Sequence, residues 1–325
     1  GVIQDDDSAP PPPSSLDAEL VSQIPTSDRC DLIDPNYCLY PWPNDYFTTA
    51  SGSTDTGLLV NLNPLSMPIN SAGKPIDPTE WNRNDGFSPG HMIQTRVEGL
   101  DLQQTGAPPL SNIGRSLETD SPILIIDADT GERHLIWSEL DDNGTKQTTP
   151  AEESAGVDPG PALIIRPAIN FEPGQRYIVA LRNMRNGAGD LLTPAPGFQV
   201  YRDNIPSLFP QVEARRAHFE DLFTILGNAG VARNDLYLVW DFTVASERNL
   251  TERMLHIRDD ALGSIGTAPP GFVIDDVIDN PSGTRSEITA RRIRGHVIVP
   301  CYLNTPNCIS GGVFNYQPGA GGPFG

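Results

Sequence analysis

Phe171-Glu172-Pro173-Gly174-Gln175-Arg176-Tyr177-Ile178-Val179-Ala180-Leu181 is the stretch on which the fold turns. An apolar residue, then Pro-Gly, then a tyrosine entering an apolar run is how a tyrosine corner reads in Greek-key sandwiches. Strand signals continue on both sides. Upstream, Ile123 to Ile126 leads into Asp127-Ala128-Asp129-Thr130-Gly131 and then His134 to Trp137, which reads as a hairpin with an Asp/Gly turn. Ala162 to Ile165 forms another short strand former. Downstream, Asn186-Gly187-Ala188-Gly189-Asp190 is a tight-turn sequence, and Phe198-Gln199-Val200-Tyr201 reads as a further strand. Together these predict an immunoglobulin-like β-sandwich over about 120–203.

Further along, Val212, Phe219, Leu222, Phe223 and Leu226 recur at helical spacing and predict a helix over 211–226, stopped by Gly227-Asn228. Leu236 to Val244 is the strongest run for a strand buried on both faces. Ser246 can cap a second helix over about 247–262, with Leu250, Met254, Ile257 and Ala261 on one side. His256, Arg258, Asp259 and Asp260 on that helix read as a solvated face rather than a catalytic group. Strand formers return at Phe272 to Ile274, Ile288 to Arg294 and Val297 to Leu303. The expected class is therefore mainly β (α+β). The expected divisions are a Pro/Asp-rich linker over 1–28, an irregular turn-rich layer over 29–120, the sandwich over 121–205, a helix-strand-helix segment over 206–268, and strands with a Gly/Pro tail over 269–325.

Composition narrows the function. The chain has 325 residues, with 42 acidic against 22 basic and a net charge of −20. Such a balance repels a phosphate backbone and an anionic membrane surface, so neither a nucleic acid nor a membrane is an expected partner. No apolar run reaches the length of a membrane span. The acidic, proline-rich opening reads as the start of a mature chain after removal of a signal sequence. Cys30 with Cys38 and Cys301 with Cys308 lack zinc-site spacing. Three disulfide connectivities are possible, and the short loops favour the two local pairs, which imply an oxidising compartment. Four buried free thiols in a cytosolic protein are the alternative. No metal or cofactor is expected. The Asp127–Gly131 run lacks the further oxygen ligands and the distant glutamate of an EF-hand, so it reads as a turn and gives calcium no support.

One catalytic motif matches by letter. Gly86-Phe87-Ser88-Pro89-Gly90 fits the G-x-S-x-G nucleophile elbow. The elbow needs an apolar strand before the serine and a backbone N–H just after it. Here the approach, Asp77 to Asp85, is polar and turn-like, and Pro89 has no N–H. Ser88 is read as a decoy, and no catalytic residue is assigned. The aromatic stretch Tyr40 to Phe47 reads as buried contact area rather than a sugar or lipid site.

Several stretches carry a family likeness: Tyr40-Pro41-Trp42-Pro43-Asn44-Asp45, Trp81 to Gly90, Tyr177 to Asp203, Asn234 to Ser246, Met254 to Asp260, and Gly295 to Cys308. Across most of the chain after about residue 35, it resembles the N-terminal region of large secreted bacterial lipases and esterases, in particular the virulence-factor lipases, whose Ig-like N-terminal region precedes an α/β-hydrolase domain. In that family the elbow, acid and histidine lie beyond a segment resembling 288–316, so the resemblance transfers no catalytic residue. It implies the non-catalytic N-terminal portion of a secreted ester hydrolase, which braces or shields the catalytic domain or presents its substrate. The partner is that domain, and the strands from about 270 can join the edge of its sheet. A stand-alone extracellular module binding glycan, lipid or protein is the alternative, and a complete hydrolase using Ser88 a third.

Overall fold

Apolar runs without a polar face must be covered on both sides, and three of them build the centre of this protein. The computed structural model describes residues 15–35, 37–141, 160–279, 281, 288–305 and 308–314. In chain order the strands are β1 (Thr48–Ala50), β2 (Leu58–Val60), β3 (Ile93–Thr95), β4 (Ile123–Asp127), β5 (Ile136–Leu140), β6 (Leu163–Pro167), β7 (Arg176–Arg182), β8 (Leu236–Thr243), β9 (Phe272–Asp279) and β10 (Arg291–Val297). The helices used below are α1 (Ser15–Leu20), α2 (Leu102–Thr105), α3 (Pro196–Arg202), α4 (Pro210–Glu213), α5 (Arg216–Asn228) and α6 (Glu247–Ile265). The chain divides into two compact units, Gly1–Glu247 and Arg248–Gly325. The result is a mixed α/β protein built on small antiparallel sheets.

In the first unit, β7 lies between β4 and β8, with Ile125 opposite Val179 and Val179 opposite Trp240. Ile123 to Ile126 and Ile178 to Leu181 are wholly buried. A second antiparallel sheet has the order β3-β6-β5. One contiguous apolar cluster joins both sheets to Phe219, Leu222, Phe223 and Leu226 of α5. Tyr177 makes the contact expected of a tyrosine corner: its hydroxyl accepts the Glu172 N–H at 3.0 Å.

One local expectation is overturned and a second is met only in part. Phe198 to Tyr201 is helical, inside α3. Pro196 at the helix start sets a helical φ. A Cβ on Gly197 would stand 2.0 Å from the Leu32 carbonyl oxygen, so the helix meets the Leu32 backbone at a distance only glycine allows. Tyr201 stacks on Phe219, ring centres 3.9 Å apart. The predicted hairpin of Ile123–Ile126 with His134–Trp137 forms only at its turn end, where Ile126 bridges antiparallel to Arg133 and the His134 N–H donates to the Ile125 carbonyl at 2.8 Å. Its turn forms, with Asp127 Oδ1 accepting the N–H groups of Asp129 and Thr130 at 2.9 Å each. The two strands then part, β4 to β7 and β5 to β6. The 186–190 turn forms as expected, closed by Asn186 N–H to the Asp190 carbonyl at 3.0 Å. The 211–226 helix is divided into α4 and α5. At the C-terminal end, β10 begins at Arg291 and stops at Val297, shorter than the strand formers of 288–303 suggest.

The irregular N-terminal layer is pinned by one buried ion pair. Arg215 donates two hydrogen bonds to Asp31, at 2.5 and 3.0 Å, and Asn44 adds a third at 2.9 Å. The Arg215 guanidinium lies over the rings of Tyr46 and Phe219. Removing one partner of a buried pair strands the other charge. Arg215→Met is therefore expected to cost about 3–5 kcal/mol of unfolding free energy in urea titration. Tyr177→Phe should cost only about 1 kcal/mol. Equal losses would mean that the ion pair does not hold the layer.

Candidate functional site

The G-x-S-x-G segment is a structural seam. Phe87 donates to the Thr243 carbonyl (2.9 Å), and its own carbonyl accepts from Ala245 (2.8 Å). Asp85 Oδ1 accepts the Ser246 N–H at 2.9 Å. A Cβ on Gly86 would meet Ala245 N at 2.6 Å and Thr243 O at 2.7 Å, so this glycine serves close backbone approach. Ser88 is exposed, and its Oγ accepts only a long bond from Gly90 N–H, at 3.4 Å. Among the described residues no histidine bonds to it, no strand leads into it and no helix follows it. The other sequence candidates do not converge either. Asp260 accepts the Tyr302 hydroxyl at 2.7 Å, while Arg258 pairs with its neighbour Asp259. Both local cysteine pairs, Cys30–Cys38 and Cys301–Cys308, are disulfides. Among the described residues no group of three or more His, Cys, Asp or Glu is placed to hold a metal.

A charged network unmarked in the sequence lies beside β8. Asp45 Oδ1 accepts the Thr243 N–H (2.9 Å) and Asp45 Oδ2 the Thr243 hydroxyl (2.6 Å). Asp241, one strand face away, accepts from His218 Nε2–H at 2.8 Å and from Arg176 Nε–H at 2.7 Å. Arg176 also reaches Asp221, at 3.0 Å. Burial, together with the nearby Asp241 carboxylate, pushes the Asp45 carboxyl up to about 6 despite the Thr243 hydrogen bonds. Burial pushes Asp241 up too, but the His218 hydrogen bond and the Arg176 guanidinium outweigh it and hold Asp241 below the usual carboxylate range. This is an acid-base pair without a nucleophile: Thr243 Oγ is spent on Asp45, and His218 stands at the exposed rim. Its chemistry is that of a clamp.

The second unit carries the feature best suited to function. Among the described residues from 248 to 314, Asn249 and Pro281 are the two that are buried. Residues Leu250 and Met254 of α6 are exposed, against the expectation that one side of this helix packs. The β9–β10 hairpin has two unlike faces. Its register sets Phe272 opposite Val297, Ile274 opposite Gly295, and Val277 opposite Ile293. The register slips between Arg294 and Gly295, where Asp275 is the extra residue. That bulge keeps Phe272 and Ile274 on the same side as Val277. The five apolar side chains of this face are each between 50% and 62% exposed. The other face carries Arg292, Arg294 and His296 at alternate positions of β10. Arg291 pairs with Asp279 at 2.5 Å, and His296 Nδ1 lies 3.3 Å from Asp275. Sequence reading found the strand formers but not the two faces, because the bulge breaks the alternation that would have displayed them.

The chain matches no protein-family model, no curated protein and no solved structure.

Two predictions follow from the geometry beside β8. Ser88→Ala should leave thermal stability unchanged, whereas Gly86→Ala should lower it by several degrees, because the Cβ collides with fixed backbone. A nucleophile elbow would instead be tied to loss of labelling by a fluorophosphonate on Ser88→Ala. For Asp45, the folded value lies above that of the unfolded chain, so its charged form opposes folding. Stability should rise as pH falls from about 7 towards 4. Asp45→Asn should be the more stable protein at pH 8 by on the order of 2–3 kcal/mol, and the difference should vanish near pH 4. Asp241 works the other way, losing stability only as pH drops below the ordinary carboxylate range. A pH-independent difference between wild type and Asp45→Asn would show that Asp45 does not titrate near 6.

Proposed function

We propose that this chain is the non-catalytic N-terminal portion of a secreted carboxylic-ester hydrolase, and that the apolar face of β9–β10 seats the catalytic domain. The carrying observation is that Asn249 and Pro281 are the two buried residues among those described in the second unit, beside an exposed apolar hairpin face. A unit of this size without a core does not sustain itself. Exposed apolar sheet surface of this kind marks an interaction site. The two disulfides suit an oxidising compartment, and among the described residues no helix is long and apolar enough to cross a membrane. The Tyr177 hydroxyl contact and the two three-stranded antiparallel sheets support the Ig-like reading of the first unit. The resemblance to lipase N-terminal regions supplies the identity of the partner. A stand-alone module that binds lipid or protein would use the same apolar face, and the two readings part on whether the downstream region is what covers it.

In this reading the chain has no esterase activity of its own. The natural polypeptide should have an intact mass well above that of this chain. The region encoded downstream, expressed separately and mixed with it, should bind it and lower its binding of an apolar dye. Phe272→Asp with Ile293→Asp should abolish that binding while leaving the first unit's unfolding transition in place. A monomeric chain with little dye binding and no affinity for the downstream region would overturn the proposal in favour of the stand-alone module.

A further inference from the structure

His91 is a half-buried titratable group that the network beside β8 does not use. Its two ring nitrogens face partners of fixed polarity. Trp42 Nε1–H donates to His91 Nε2 at 2.8 Å, and an indole nitrogen can only donate. His91 Nδ1 lies 2.6 Å from the Met92 carbonyl oxygen, which can only accept. Together these contacts require the neutral ring with its proton on Nδ1. A second proton, taken from water onto Nε2, would set one N–H against another and leave the Trp42 indole without its acceptor. Burial pushes the ring below the usual histidine range, against the pull of the Met92 hydrogen bond. Charged groups on the surrounding segments are engaged elsewhere. Asp45 holds Thr243, Asp85 accepts the Ser246 N–H and Glu172 acts on His134, while β3 carries no charged residue.

The two sides of the Trp42–His91 contact are held unequally. Trp42 pairs its backbone with Gln94 in both directions, at 2.8 and 2.7 Å. Its ring packs against Phe47 and meets Phe87 edge-on, centres 5.1 Å apart. His91 belongs to the largely exposed segment 88–92. That segment is fastened by the Pro89 carbonyl, which accepts the Phe171 N–H at 2.9 Å, and by the His91 N–H to the Ser88 carbonyl at 3.2 Å. We infer that His91 is an acid-released latch: protonation of its ring breaks the Trp42 contact, and segment 88–92 swings outward and uncovers Trp42 and Phe87 while Trp42 stays paired with Gln94. The latch is closed at neutral pH and opens below the ordinary histidine value. It gives the G-x-S-x-G segment a conformational role that needs no nucleophile, and it does not depend on the hydrolase reading. Below about pH 6.5 the unfolded chain binds a proton that the folded chain resists, so His91 lowers stability as pH falls. Asp45 acts with the opposite sign in an overlapping window, so the latch is read locally rather than in the global transition.

The experiment is an NMR titration of the full nitrogen-15-labelled chain from about pH 8 to about pH 4.5. Four indole N–H resonances are followed, with Trp42 assigned from Trp42→Phe. The Trp42 indole should shift with a single midpoint below the ordinary histidine value. The His91 ring and the Gly90 and Met92 amides should share that midpoint, and the Gln94 amide should not. His91→Gln keeps an acceptor but gains no charge, and should abolish the shift at Trp42, Gly90 and Met92. His91→Phe should place the Trp42 resonance at pH 8 where the wild type reaches it in acid. Asp45→Asn, which removes the nearest titrating carboxyl of the layer, should leave the Trp42 shift in place. A Trp42 indole that stays still while His91 titrates would overturn the inference, as would a shift that survives in His91→Gln. So would a His91 ring that takes up no proton before the chain unfolds, or four indoles moving together. Movement of the Gln94 amide with the His91 midpoint would also overturn it, because Trp42 rather than segment 88–92 would then be leaving.

Discussion

Pro43-Asn44-Asp45 ties the irregular layer to β8 through three successive residues, and much of the first unit depends on that tie. The Asp45 carboxylate takes both the backbone N–H and the hydroxyl of Thr243 at the end of β8. Two residues earlier, the Pro43 carbonyl accepts the Trp240 indole N–H at 2.8 Å. Asn44, between them, donates to the buried Asp31 and caps the Tyr46 N–H. The segment Pro43-Asn44-Asp45 thus joins an irregular layer, which has little regular hydrogen bonding of its own, to the most buried strand of the protein. An irregular chain can lie over a core only if its polar groups find such partners. Placing a carboxylate there has a cost, since Asp241 is close by, and it is the Arg176 and His218 contacts to Asp241 that keep the pair of acids tolerable.

What could be read from sequence divides along the same physical line. Ile123–Ile126, Tyr177–Leu181 and Leu236–Val244 were legible because unbroken apolar runs have few ways to be buried. The Tyr177 contact was legible because the Pro-Gly turn fixes where the hydroxyl falls. Phe198-Gln199-Val200-Tyr201 misled because its alternation imitates a strand, while the deciding facts were a proline at a helix start and a glycine against the distant Leu32 backbone. The β4–β5 pairing misled because a good turn does not dictate which edge each strand joins. The Asp45, Arg176, His218 and Asp241 network left no trace, since its members come from four separate elements and no short spacing joins them.

Charge separates the two units as sharply as burial does. Within residues 248–325 seven arginines balance seven acidic residues, so the entire net charge of −20 falls on residues 1–247. The acidic unit has a continuous core and is suited to remain soluble by itself. The neutral unit has little buried apolar surface among its described residues and no net charge to keep copies apart.

An uncovered hairpin is also a hazard, and this one carries its own restraint. Three arginines line β10 and three aspartates line β9, so pairing of like edges between copies is repelled on either side. The bulge at Asp275 serves the same end. It lets β9 carry two consecutive aspartates while Phe272, Ile274 and Val277 stay on one face, with Val273 and Ile278 on the other.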